Sequence, residues 1–328
     1  MRVFKQLVLV ATLLALFVVV LGAYVRLSDA GLGCPDWPGC YGTLTVPQSE
    51  SALVAAHVAY PDSPVEHPKA WKEMIHRYFA GTLGVLVLGI FVLGWRARKQ
   101  VKVAPWLPTF LLVLIMFQAA LGMWTVTMLL KPAIVTAHLI GGMSTLAVLT
   151  WIAHRHWGII NVRHAPATTF WIRGALLVLF MQIFLGGWTS TNYAALACTD
   201  FPTCHGAWIP DMDFANAFHW FRELGVDATG NTLQLAAYTA IQWTHRIGAL
   251  ITFIYLGWLG VSLLKQPQLK KIALIMLGLL LLQIILGIAN LVLHLPLALA
   301  VGHNMGAALL LISVVVLNSK ITAFKQNN

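Results

Sequence analysis

The chain alternates between long apolar runs and short polar breaks. Eight runs are long enough to cross a membrane as helices, which takes about 20 apolar residues each. They cover residues 6–26, 73–95, 106–129, 133–153, 170–191, 236–264, 270–293 and 296–318. The pattern predicts an all-α integral membrane protein. The polar breaks are unequal: residues 27–72 and 192–235 are long, Gly-, Pro-, Asp- and Trp-bearing connections, while those after the third and seventh runs are a few residues only. Within the second long connection, "DFANAFHWFREL" (213–224) predicts a short amphipathic helix lying on the end of the bundle. No low-complexity tract and no soluble domain interrupts the series. Arg2 and Lys5 precede the first run, as in a secretory signal. The run is long for one, however, and its "VLGAYV" (20–25) has a counterpart in "FLGGWT" (184–189) of the fifth run. It is therefore read as a span.

That counterpart belongs to an internal repeat of about half the chain. "MFQAALGMW" (116–124) matches "LLQIILGIA" (281–289), and "EMIHRYFAG" (73–81) matches "QWTHRIGAL" (242–250). "TAHLIGGM" (136–143) matches the stretch around His303. Two homologous four-helix bundles of the same orientation are predicted, residues 1–165 and 166–328, related by an axis along the membrane normal.

Composition agrees with the pattern. Hydrophobic residues make up 59% of the chain and charged ones 10%, against about 25% charged in soluble domains. The net charge of +10 would suggest nucleic acid until the charges are placed. Basic residues gather in 95–102, in the loop with Arg155 and Arg163, in 265–271 and near both termini, at Arg2, Lys5, Lys320 and Lys325. All eleven acidic residues, Asp29 through Asp227, fall on the opposite side. The asymmetry predicts an inner-membrane protein with both termini cytoplasmic, and no nucleic-acid partner.

The repeat includes four cysteines. "GLGCPDWPGCYG" (31–42) and "ALACTDFPTCHG" (195–206) each carry two, six apart, both on the predicted outer side, where disulfides persist. Proline and glycine allow a tight reversal between them. A structural staple and a redox-active dithiol both fit this spacing. A metal pair fits poorly, since no Cys-x-x-Cys is present.

Four of the twelve histidines stand apart: His76, His138, His245 and His303 each lie near the outer end of an even-numbered run. Ionisable groups in spans are rare and mark function by default, although one such histidine can simply bond a neighbouring helix. Facing pairs of neutral imidazoles suit iron in a flat macrocycle, and zinc would want further ligands that neither pair has. Gly141, Gly248 and Gly306 lie three residues after three of these histidines, on the same helix face. They are expected to leave room for a planar ring, and Phe79 breaks the pattern after His76. Arg77 and Arg246 follow two of the histidines and are candidates to pair with haem propionates. Snorkelling arginines at the membrane edge would look the same. His154, His156 and His164 are read as loop residues on the basic side, and His57, His67, His205, His219 and His294 as solvated residues on the other.

Taken together, eight spans, two halves, the stretch "RLSDAGLGCPDWPGCYG" and the motif "EMIHRYFAG" resemble the haem A synthase family over nearly the whole chain. The resemblance implies an oxidoreductase acting on a CH group: the C8 methyl of haem O becomes the formyl of haem A, for terminal oxidases. It implies substrate haem O between His76 and His138, and a haem b cofactor between His245 and His303. It implies a Cys34–Cys40 disulfide. Some members lack the second pair, but the matched spacing leads us to expect Cys198–Cys204 as well. Haem O synthase as substrate donor, an unidentified electron donor and membrane lipid are the implied partners, and a homo-oligomer is compatible. A di-haem cytochrome that only relays electrons and a haem carrier are the alternatives.

The halves differ at one charged position. Glu73 precedes His76 by three residues, and its counterpart is Gln242. A carboxylate at the membrane edge is costly without a task or a partner. Glu73 is therefore the candidate catalytic proton acceptor of the substrate half. A salt bridge to Lys69, Lys72 or Arg77 is the plainer alternative.

Overall fold

The computed structural model describes residues 2–99, 104–156, 162–164 and 166–323. Residues 100–102 of the basic stretch 95–102, residues 157–158 of the next basic loop, and Lys325 lie outside the described residues. Among the described residues eight long helices cross the molecule: α1 (Arg2–Leu27), α3 (His67–Arg96), α4 (Trp106–Thr127), α5 (Pro132–His156), α6 (Pro166–Thr191), α8 (Leu235–Leu263), α9 (Pro267–Val292) and α10 (Leu297–Lys320). All are long and apolar enough to span a bilayer, and the chain is a multi-pass membrane protein. Two short helices, α2 (Glu50–Ala59) and α7 (Phe214–Ala217), lie in the long connections. Prolines open α3 and α9 in the first turn, where the missing N–H costs nothing.

Helices α1, α3, α4 and α5 pack each on the next, and α5 returns onto α1. Helices α6, α8, α9 and α10 close the same way. The two rings meet where α5 touches α6 and α10, and where α1 touches α10. Lipid gives helices little hydrophobic reason to associate, so small residues that allow close approach dominate such contacts. Ala11, Ala15, Ala175, Ala273 and Ala308 are fully buried accordingly. Leu13, Val85, Val113, Leu177, Ile254 and Leu281 remain exposed, as lipid-facing residues should. Polar contacts add direction: Thr136 and Thr191 hydroxyls lie 3.0 Å apart across the seam, and within the second ring Asn318 Nδ2 donates to the Ile172 carbonyl at 2.9 Å.

Two expectations change, and one helix is new. The segment 213–224 forms only the single turn α7, capped by Asp213 accepting from Asn216 N at 3.1 Å. Tertiary packing unwinds the rest: Phe218 and Trp220 pack on the fully buried Trp188, and Arg222 is buried above it, donating to Asn192 Oδ1. His154 and His156 are not loop residues but the last turn of α5. His156 is buried against the Phe4 ring, and His154 Nδ1 bonds the Ser319 hydroxyl of α10. Finally, α2 carries no strong sequence signal. Ser49 caps it, accepting from Ala52 N at 3.2 Å. One small addition is a parallel ladder of β1 (Val162–His164) on β2 (Ile321–Ala323), which ties the basic ends of the two rings together.

Candidate functional site

The two cysteine loops share one construction, C-x-D-x-P-x-C-x-G. Cys34–Cys40 and Cys198–Cys204 are bonded, at 2.01 and 1.99 Å. The aspartate between the cysteines clamps the residues after the second. Asp36 accepts from the amides of Tyr41 and Gly42 at 2.6 and 2.8 Å, and Asp200 from those of His205 and Gly206 at 2.7 and 3.0 Å. Both glycines have positive φ, +76° and +74°, which only glycine adopts freely. The Thr203 hydroxyl and the Gly206 and His205 amides hold the Asp200 carboxyl well below the usual carboxylate range. Sequence reading missed both aspartates, although the repeat displays them. Cys198, Cys204 and His205 converge within 4.8 Å in the manner of a metal group, but both sulfurs are consumed by the bridge.

Removing either bridge by a double Cys→Ser change should cost about 2–3 kcal/mol on chain-entropy grounds. Denaturant unfolding in detergent measures this. An unchanged midpoint would show that the aspartate clamps hold the loops alone.

The loops are fastened to the helices by the residues flanking two of the histidines. Glu73 is 5% exposed; its Oε2 accepts from the Cys34 amide at 3.0 Å, and its Oε1 pairs with Arg77 Nη2 at 2.5 Å. Arg77 also donates to the carbonyls of Asp36, Pro38 and Gly39. In the other half, Gln242 Oε1 accepts from the Cys198 amide, and its Nε2 donates to Ala195 O at 2.5 Å. Arg246 donates to Thr203 O at 2.8 Å and Cys198 O at 2.9 Å. Both arginines are thus engaged with loop carbonyls. Of the three candidate partners, Glu73 takes Arg77; Lys69 pairs with Glu66 at 3.1 Å, and Lys72 lies over the Tyr24 ring.

Beneath these loops lie the four histidines, all within helices and half-buried. His76 and His138 stand on α3 and α5 of the first ring, and His245 and His303 on α8 and α10 of the second. Each ring rests on a glycine of the preceding long helix. A Cβ added at Gly22, Gly122, Gly186 or Gly287 would come within 2.9–3.4 Å of Cε1 of His76, His138, His245 or His303 respectively. The signal was in the repeat, in the glycines of "VLGAYV", "FLGGWT", "LGMW" and "LGIA". The expectation for Gly141, Gly248 and Gly306 is corrected. The space beside them is filled by the side chains of Gln118, Gln182 and Gln283, not left for a ring.

Nδ1 of His76, His138 and His303 is buried without a completed hydrogen bond. Buried polar atoms of this kind call for a partner. Two imidazole pairs, each ring backed by glycine and three of the four with an unsatisfied buried nitrogen, fit an iron macrocycle gripped from two helices.

Comparison with known proteins agrees with this arrangement. Residues 5–315 match the family described as cytochrome oxidase assembly protein, COX15-CtaA. The Heme A synthase of Shewanella oneidensis is 48% identical over 310 residues, covering 92% of each chain. Those of Caulobacter sp. strain K31 and Bacillus licheniformis are 29% and 24% identical, covering at least 90% of each chain.

Proposed function

This chain belongs to the haem A synthase family, and from that premise we propose that it makes haem A by oxidising the C8 methyl group of haem O to a formyl group. The observation that carries the reading is the pair of histidine pairs, each ring seated on a glycine under a cysteine loop. His76 and His138 would hold the substrate haem within residues 1–165. His245 and His303 would hold haem b within residues 166–328. Bound haem iron supplies the oxidising power that a methyl C–H bond demands and side chains lack.

The chain's own residues do the rest. The glycines let the helices approach, so that each imidazole is presented from a fixed helix turn. The cysteine loops, pinned by Glu73, Arg77, Gln242 and Arg246, cover that end of both bundles. Glu73, buried next to the first pair, can take a proton as the methyl group is oxidised. Gln242 makes the same loop contact and cannot. This difference favours chemistry in the amino-terminal half and electron supply in the other, and it disfavours a plain relay with two equivalent haems. The clustering of basic residues away from the cysteine loops supports an inner-membrane location with both termini cytoplasmic. Haem O synthase is the natural source of so apolar a substrate, with reducing equivalents from a separate donor.

Co-expression with a haem O synthase, followed by chromatography of extracted haems, tests the reading. Haem A is expected only when both proteins are present. Haem O alone would leave a cytochrome or carrier.

A further inference from the structure

Three of the four imidazoles share a seat that the fourth lacks. On the helix before the histidine, a glutamine stands four residues ahead of the glycine beneath the ring: Gln118 before Gly122, Gln182 before Gly186, Gln283 before Gly287. On the histidine's own helix, Gly141, Gly248 or Gly306 stands three residues on, and a Cβ there would collide with that glutamine's amide. Q-x-x-x-G therefore interlocks with H-x-x-G. Gln118 Nε2 donates to the His138 carbonyl at 2.9 Å. Gln182 Nε2 lies 3.2 Å from the His245 carbonyl and 3.0 Å from its Nδ1. A partner that fixes Nδ1 sets the tautomer and orients Nε2 for a metal.

Around His76 the pattern gives way. Val18 stands four residues before Gly22, and Phe79 stands three after His76. Neither the glutamine nor the glycine of the seat is present there, and Nδ1 of His76, like those of His138 and His303, has no hydrogen-bond partner among the described residues. Phe79 instead meets Phe17 edge-on at 4.9 Å, and both rings are exposed on the outside of the bundle, 39% and 47%.

We propose that the glutamine–glycine seat positions His138, His245 and His303 as permanently held ligands, and that His76, which lacks it, is the exchangeable ligand through which haem enters and leaves the amino-terminal half. This rests on the haem reading above. An imidazole whose helix turn is locked by the interposed glutamine would return to the same position each time it dissociates. One on a turn without that lock can move away and yield its place. A half that takes in substrate and releases product needs one such ligand, and a half that keeps its haem needs none.

The test is haem loss from the purified full-length protein, loaded with ferric haem b and mixed with excess apomyoglobin. Two phases are expected. The slow one should be absent in His245→Ala, which assigns it to the carboxy-terminal half. Installing the seat with Val18→Gln and Phe79→Gly should slow the fast phase by roughly tenfold or more, the scale on which such outer partners act. Gln182→Leu should speed the slow phase by about as much and leave the fast one alone. A single phase in the natural chain would overturn the proposal. So would an unchanged fast phase in the double variant when it binds two haems. If the double variant does not fold, an unchanged slow phase in Gln182→Leu overturns it on its own. A natural chain that takes up no haem at these histidines would instead sink the functional reading.

Discussion

Replacing His245 or His303 with alanine is expected to strip the purified protein of its tightly held haem b. Both side chains project from helix turns whose backbone is fixed by packing, His245 over Gly186 and His303 over Gly287. Alanine at either site leaves those helices intact, because the change removes bulk from a half-buried ring and favours helix. What is lost, on the proposed reading, is a side chain that would hold the haem iron. Outer partners of a ligand alone change metal affinity by about 10–100-fold, so loss of the ligand itself should exceed roughly 100-fold. Pyridine haemochrome spectra, normalised to protein, measure it. Full haem content and an unchanged spectrum in both variants would mean that the cofactor lies elsewhere.

Glu73→Gln is expected to keep the fold and the haem b yet to lower haem A formation by about 100-fold or more, the contribution of a well-placed proton acceptor. The protein already contains the control for folding. Gln242 occupies the equivalent place, accepts from the Cys198 amide as Glu73 accepts from the Cys34 amide, and stands beside an arginine bonded to loop carbonyls. A glutamine at 73 can therefore hold the first cysteine loop, and Arg77 retains its bonds to the carbonyls of Asp36, Pro38 and Gly39. Only the charge and the proton capacity go. Gln242→Ala should be milder in haem A yield, because it disturbs a loop and not the chemistry. Near-normal haem A from Glu73→Gln, at equal protein level, would make Glu73 a loop anchor and nothing more.

Much of this architecture was legible in the chain itself. The spans were readable because lipid demands about 20 unbroken apolar residues per helix, a signal carried by composition alone. Duplication exposed the histidines, since an imidazole at the same depth in four spans cannot be local accident. The cysteines were readable for the same reason, and their six-residue spacing restricted the plausible bridges to those within each loop.

Other features depended on which helix faces which. That Gly22, Gly122, Gly186 and Gly287 lie beneath the histidines requires the pairing of each even-numbered span with the one before it, and periodicity within one helix carries no such information. The same pairing decided that Gly141, Gly248 and Gly306 admit glutamines and not a cofactor. Arg77 and Arg246 were visible as cations next to His76 and His245, but only the folded loops show their donors turned to carbonyls. The 213–224 segment has helical amphipathicity, yet a buried tryptophan 25 residues upstream, Trp188, claims its aromatic residues and its arginine. Sequence by itself determined the number of spans, the duplication and the identity of the four imidazoles, because each is written in residue type and spacing. Tertiary structure alone decided what touches each imidazole, because in a bundle those contacts come from other helices, and the choice of neighbour is set by close packing of small residues that no single segment encodes.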